Sequence, residues 1–170
     1  HLREPGFSYK ETISSGTAAA VKSGYTTLCT MPNLKPVPDN YENLKIQLDL
    51  INTNAKCKVI PFGSITENQC GEKLSDMDSM SDFVAGFSDD GKGVQDVSVM
   101  KDAMKKAASL SKIISAHCED NSLLFGGVIH DGDFAKSNNI FDNILTKTFA
   151  KLSSIPSKLT LIFSNTFLLE

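Results

Sequence analysis

The sequence predicts an α/β protein made of successive parallel βα units. Short apolar or β-branched runs alternate with amphipathic helical stretches, so strand, loop, helix, strand recurs along the chain. The 170 residues are 41% hydrophobic and 22% charged, enough for one packed core but short of the roughly 250 residues of a closed β/α barrel. The unusual polar groups fall directly after the apolar runs, where the chemistry of βα proteins sits. The exception is His1, which would follow a strand outside this sequence.

Each element has its own signal. Thr12 to Lys22 reads as an alanine-rich helix stopped by Ser23-Gly24. Tyr25 to Thr30 is a β-branched and aromatic run, expected as a buried strand, and Met31-Pro32-Asn33 follows as a loop extended by Pro36 and Pro38. Asp39 is expected to cap a helix running to about Asn52, with Leu44, Leu48 and Ile51 on one face. Lys58 to Gly63 reads as the second strand and Phe83 to Phe87 as a short third one. Val97 to Ser111 reads as a helix with Val99, Ala103, Ala107 and Leu110 inward, and Lys112 to Ala116 as a fourth strand. From about Ile140 the composition changes to Leu, Ile, Phe, Ser, Thr, Asn and Lys with almost no Gly. A helix over Asp142 to Leu152 and a strand over Leu159 to Phe163 are expected there.

Composition narrows the function classes. The net charge is −3 with no basic stripe, so neither nucleic acid nor an anionic membrane is an expected partner. Lys101, Lys105 and Lys106 read as the wet face of a helix. Cys29, Cys57, Cys70 and Cys118 form no C-x-x-C pair, which points to free thiols in a reducing cytoplasm. No run approaches the roughly 18 apolar residues of a membrane span, and HLREPG has no apolar signal core. The first residue is histidine, so a piece of a longer protein is expected.

The chemistry-bearing segments are His1-Leu2-Arg3-Glu4-Pro5-Gly6, Met31-Pro32-Asn33, Asp89-Asp90-Gly91 and His117-Cys118-Glu119. Taken singly, each has an ordinary reading. His1 is a chain-terminal residue, Arg3 and Glu4 make a surface ion pair, and Asn33 forms a turn beside Pro32. Asp89-Asp90-Gly91 is a turn and His117 a satisfied, partly buried histidine. His130, in the loop HDGD, reads as solvent-exposed, and Cys118 as packing.

In order and in combination, the segments HLREPG, MPN, DDG and HCED resemble the dihydroorotase family, of the class whose metals are bridged by an aspartate, over residues 1–139. The resemblance implies an incomplete β/α (TIM-type) barrel of the metal-dependent amidohydrolase kind. It implies reversible conversion of dihydroorotate to N-carbamoyl-aspartate in pyrimidine biosynthesis, with two Zn²⁺ per complete active site. Residue by residue, it makes His1 and His117 zinc ligands, Asp90 the metal bridge, and Arg3 and Asn33 the residues that hold the substrate carboxylate.

Those residue types suit those roles. Imidazole nitrogen and carboxylate oxygen are good zinc ligands, and zinc lowers the pKa of bound water to about 7. Guanidinium matches a carboxylate with two parallel hydrogen bonds. No lysine precedes Asp89 on the third strand, which favours the aspartate bridge over a carboxylated lysine. Asp89 is given no metal bond. The family's first histidine, a later histidine ligand and the general-base aspartate have no counterpart here, so no catalytic base is assigned. The expected organisation is 1–139, the front half of a barrel, followed by an aberrant tail over 140–170. The parent enzyme would take a small-molecule substrate in the cytoplasm, with a homo-oligomer left open. The alternatives are an inactive dihydroorotase-like remnant or structural partner, and a hydantoinase- or allantoinase-like ring amidohydrolase.

Overall fold

A computed structural model describes residues 1–123, 129–130, 133–138 and 142–143. The chain divides into two compact units, the first containing His1–His117 and the second beginning at Cys118.

In the first unit, β1 (Thr27–Thr30) and β2 (Lys58–Pro61) pair in parallel with Thr27 opposite Lys58 and Thr30 opposite Pro61. β3 (Gly86–Phe87) and β4 (Ile113–Ile114) form a second parallel pair. A parallel bridge between Gly63 and Phe87 joins the pairs, with the Gly63 N–H donating to Gly86 O and the Ser88 N–H to Gly63 O. The parallel α/β architecture expected from the sequence is therefore present. All four strands run the same way, so their carboxyl ends, and the loops that follow them, lie at one end of the sheet.

Four helices accompany these strands: α1 (Ile13–Lys22), α2 (Tyr41–Asn54), α3 (Met77–Met80) and α4 (Val97–Ser109). Thr12 caps α1 by a reciprocal capping box with Ser15, satisfying amide groups that have no partner inside the helix. Asp96 caps α4 by accepting from the Ser98 and Val99 N–H groups. Leu2, Ile13 and Ile51 form a buried cluster against which Leu50, Ala55 and Val59 pack. Leu44, Ile65, Met77, Met80, Phe87 and Ile114 are also buried. Gln47, on the inner face of α2, donates from Nε2 to Thr30 Oγ1 at 3.1 Å and so ties that helix to the end of β1.

Several expectations are corrected. The cap of α2 is Asn40, not Asp39. Asp39 is buried and its Oδ1 accepts from the Asn40 and Asn43 side-chain amides, which leaves the Asn40 Oδ1 to accept the Asn43 N–H. The first strand begins at Thr27 rather than Tyr25, and it is not buried throughout, since Thr27 and Cys29 are exposed. The third strand begins at Gly86 because Ser81–Phe83 continue α3 as a 3-10 turn, anchored by the buried Met77 and Met80. Ala103 and Ala107 of α4 are fully buried as expected, while Val99 and Leu110 are half-buried.

In the second unit, β5 (Ile129–His130) pairs in parallel with β6 (Asp142–Asn143), and α5 (Asp133–Ser137) lies between them in sequence. His130 thus sits in a strand rather than a loop. Asp142 begins a strand where a helix was expected, its two residues being held by the ladder to Ile129 and His130. The rest of that expected helix and the strand over Leu159 to Phe163 lie outside the described residues.

Candidate metal and substrate site

The loop 1–12 is locked to the loop after β1. Leu2 is buried, which fixes the residues on either side of it. The Glu4 Oε2 accepts the Ile13 N–H at 2.7 Å at the start of α1, so Glu4 is a helix-anchoring group and not the ion-pair partner of Arg3. The Arg3 Nη1 donates to Asn33 O at 3.4 Å, and the Lys35 N–H donates to Pro5 O at 3.2 Å. Gly6 has φ +96, and a Cβ there would stand 2.4 Å from Lys35 O, so only glycine allows these two loops to meet.

Asp90 is the centre of the arrangement. It follows β3 in a turn closed by the Lys92 and Gly93 N–H groups on Asp89 O, both at 3.1 Å. Its side chain is 8% exposed, and its two carboxylate oxygens face different imidazoles. His1 Nε2 lies 3.4 Å from Oδ2, and His117 Nδ1 lies 3.8 Å from Oδ1. On the Oδ2 side, the Asn33 Nδ2 donates to Oδ2 at 2.8 Å and to the Asp90 main-chain oxygen at 3.1 Å. The structure therefore gathers all five residues singled out from the sequence. His1, Asn33 and His117 surround Asp90, and Arg3 stands behind Asn33.

The nitrogen-to-oxygen spacings exceed the roughly 2.7–2.9 Å of a charge-assisted hydrogen bond. They are close to the roughly 3.3 Å that separates two donors bound about 2 Å from one tetrahedral zinc. In kind and in pairwise spacing, the donor set suits a divalent cation on either side of Asp90. Among the described residues, no group of three or more His, Cys, Asp or Glu side chains is placed to hold a metal ion, so each side of Asp90 offers a pair of donors and no more.

Asp89 has the opposite job from its neighbour. It is buried, its Oδ1 accepts the Ile65 and Thr66 N–H groups at 2.8 and 3.2 Å, and its Oδ2 accepts the Thr66 hydroxyl. Burial pushes its carboxyl above the usual carboxylate range, while the bonds from Thr66 and Ile65 and the nearby Lys92 pull the other way. The Thr66 hydroxyl also accepts the Gly71 N–H at 2.9 Å. Asp89 thus fastens the loop after β2 to the end of β3. Neither Thr66 nor the anchoring role of Glu4 carried a recognisable sequence signal, because each is defined by a partner outside its own segment, 23 residues away for Thr66 and nine for Glu4. Burial also pushes the Cys118 thiol up, away from the reactive thiolate.

Parallel strands that carry Asp90 and His117 in the loops at their carboxyl ends, beside His1 of the loop 1–12, define a βα protein with a polar site at one end of the sheet. A family model described as dihydro-orotase-like matches residues 1–145, and the chain belongs to that family. It is 50% identical to the dihydroorotase of Macrococcus caseolyticus and 49% identical to that of Bacillus licheniformis, each over 141 residues covering 82% of this chain and 33% of the relative. It is 51% identical to the dihydroorotase of Fusobacterium nucleatum over 132 residues, 78% of this chain and 31% of the relative. The chain therefore spans about a third of the length of the curated relatives it matches. Among the described residues, no helix is long and apolar enough to cross a membrane.

Proposed function

We propose that this chain is part of a dihydroorotase, and that it contributes one side of a two-zinc site interconverting dihydroorotate and N-carbamoyl-aspartate in the cytoplasm. The observation that carries this reading is Asp90, a buried carboxylate with an imidazole on each oxygen. His1 and Asp90 would hold one cation, and Asp90 and His117 the other. When bound, the cations supply a polarised amide carbonyl and a water acidified toward neutral pH. Arg3, beside Asn33, offers its planar fork to the substrate carboxylate, and Asn33 borders the same place. Asp89 holds the loop after β2 against the site and takes no part in the chemistry. The strand pairs joined through Gly63 and Phe87 are read as the first staves of a β/α barrel. Residues 1–139 would form its front half, followed by an aberrant tail over 140–170. The general base would come from a segment beyond this one.

The test is dihydroorotate hydrolysis by the longer parent protein. Asp90→Ala is expected to abolish turnover, and Arg3→Lys to raise KM because an ammonium is a point charge without the fork. Wild-type turnover in Asp90→Ala would remove that residue from the reaction. Faster turnover of a hydantoin than of dihydroorotate would assign the site to another ring amidohydrolase.

A further inference from the structure

We infer that Thr66, in the loop after β2, is a positioning residue that acts through Asp89 to decide which of two consecutive aspartates serves as the metal bridge. The inference rests on the metal reading proposed above and deepens it. Successive residues of a strand point to opposite faces of the sheet, so a slip of one residue would exchange Asp89 and Asp90. The face away from the site is marked at Gly63 and Phe87. A Cβ at Gly63 would stand 3.1 Å from both the Phe87 ring and Met80 Cε, so this row packs against α3. Asp89, two residues after Phe87, continues on that face, whereas Asp90 turns to His1 and His117.

The strand itself does little to enforce this choice, since β3 ends at Phe87 and both aspartates lie past it. The side chain of Asp89 is gripped instead, by three donors from one short segment. The Ile65 and Thr66 N–H groups meet its Oδ1 at 2.8 and 3.2 Å, and the Thr66 hydroxyl meets its Oδ2. Thr66 is fully buried, and its own place is fixed by an antiparallel bridge to Leu74 and by the Gly71 N–H, which donates to its Oγ1 at 2.9 Å. The main chain of Asp89 is closed as well, by the Lys92 and Gly93 N–H groups on its oxygen. A residue held at both side chain and main chain fixes the direction in which the next side chain leaves the backbone. Of the three donors, the hydroxyl is the one a substitution can remove, because the other two belong to the backbone. Groups that orient a metal-binding carboxylate in this way change both the affinity for the metal and its ligand field.

The test uses the longer parent protein loaded with cobalt(II), whose visible absorption reports its ligands and whose loss to a competing chelator reports affinity. Thr66→Val keeps the shape of the side chain and both backbone donors but removes the hydroxyl. It is expected to hold cobalt about 10-fold more weakly and with a changed band pattern. Thr66→Ser, which keeps the hydroxyl, is expected to restore the wild-type spectrum and affinity. Asp90→Ala is expected to lose cobalt. Circular dichroism identifies a variant that has not folded. Should Thr66→Val be one, Asp89→Asn, which weakens the same grip from its other end, carries the test with the same expected loss. Wild-type spectrum and affinity in the folded variant, or a loss in Thr66→Ser as large as in Thr66→Val, would overturn the inference and leave the metal reading standing, provided Asp90→Ala loses cobalt. No cobalt binding by the parent protein, or an unchanged cobalt spectrum in Asp90→Ala, would overturn the metal reading and this inference together.

Discussion

Two adjacent aspartates with opposite partners show what single residues contribute. Asp90 faces imidazoles, whereas Asp89 turns into the core and satisfies two backbone N–H groups and a hydroxyl. Asp89→Ala would strand those three donors. A buried unsatisfied group costs about 1–3 kcal/mol, so a loss of roughly 3 kcal/mol or more is expected in chemical denaturation. A loss below about 1 kcal/mol would mean that water replaces the carboxylate freely. Sequence pattern separated the two aspartates only through the family motif. Nothing local distinguishes neighbouring carboxylates whose partners are 23 and 57 residues away. Asp39 was misread for the same reason, since it looks like a capping residue until the amide of Asn68, 29 residues on, meets its carboxylate.

Helices were more legible than strands, because their signals are local. Thr12 and Asp96 stand one residue before the apolar periodicity of α1 and α4, and both cap as such residues should. Strand limits depended on neighbours. Phe83 fits a strand by propensity, yet the buried Met77 and Met80 hold the segment before Val84 in helical turns. Thr12→Ala is expected to lower stability by about 1 kcal/mol through the lost cap, measurable as a shifted urea midpoint. For α4, bonds from Ser98 and Val99 hold the Asp96 carboxyl below the usual carboxylate range. A lowered folded value means that this contribution is present above the ordinary carboxyl pKa of about 4 and is lost as pH falls through the folded value. The Ser98 and Val99 amide resonances should therefore report fraying of α4 on acidification, and Asp96→Asn should remove that dependence. Equal acid fraying in the variant would show that some other group controls the helix start.

At the scale of the whole molecule, the chain carries strand pairs joined through one bridge and about a third of the length of its relatives. Apolar side chains remain exposed, among them Tyr25, Ile46, Phe83 and Val97. We expect the 170-residue chain to unfold over a broad temperature range and to associate, while the longer parent protein melts sharply. A sharp, concentration-independent melt of the short chain would show that its core is self-sufficient. The parallel architecture was legible from the alternation of elements, since each βα unit has its own periodicity. The joining of the pairs was not, because Gly63 and Phe87 meet through backbone atoms that leave no trace in side-chain pattern.

The clasp between Asn33 and Asp90 also has a meaning in time. The residues are 57 apart, and His117 comes later still. On the ribosome, the loops bearing Arg3 and Asn33 can dock while Asp90 is still unmade. The amide of Asn33 then waits as a receptor for a carboxylate that arrives last but one. On the reading proposed above, the cation assigned to Asp90 and His117 would gain its second donor only after residue 117 has left the exit tunnel.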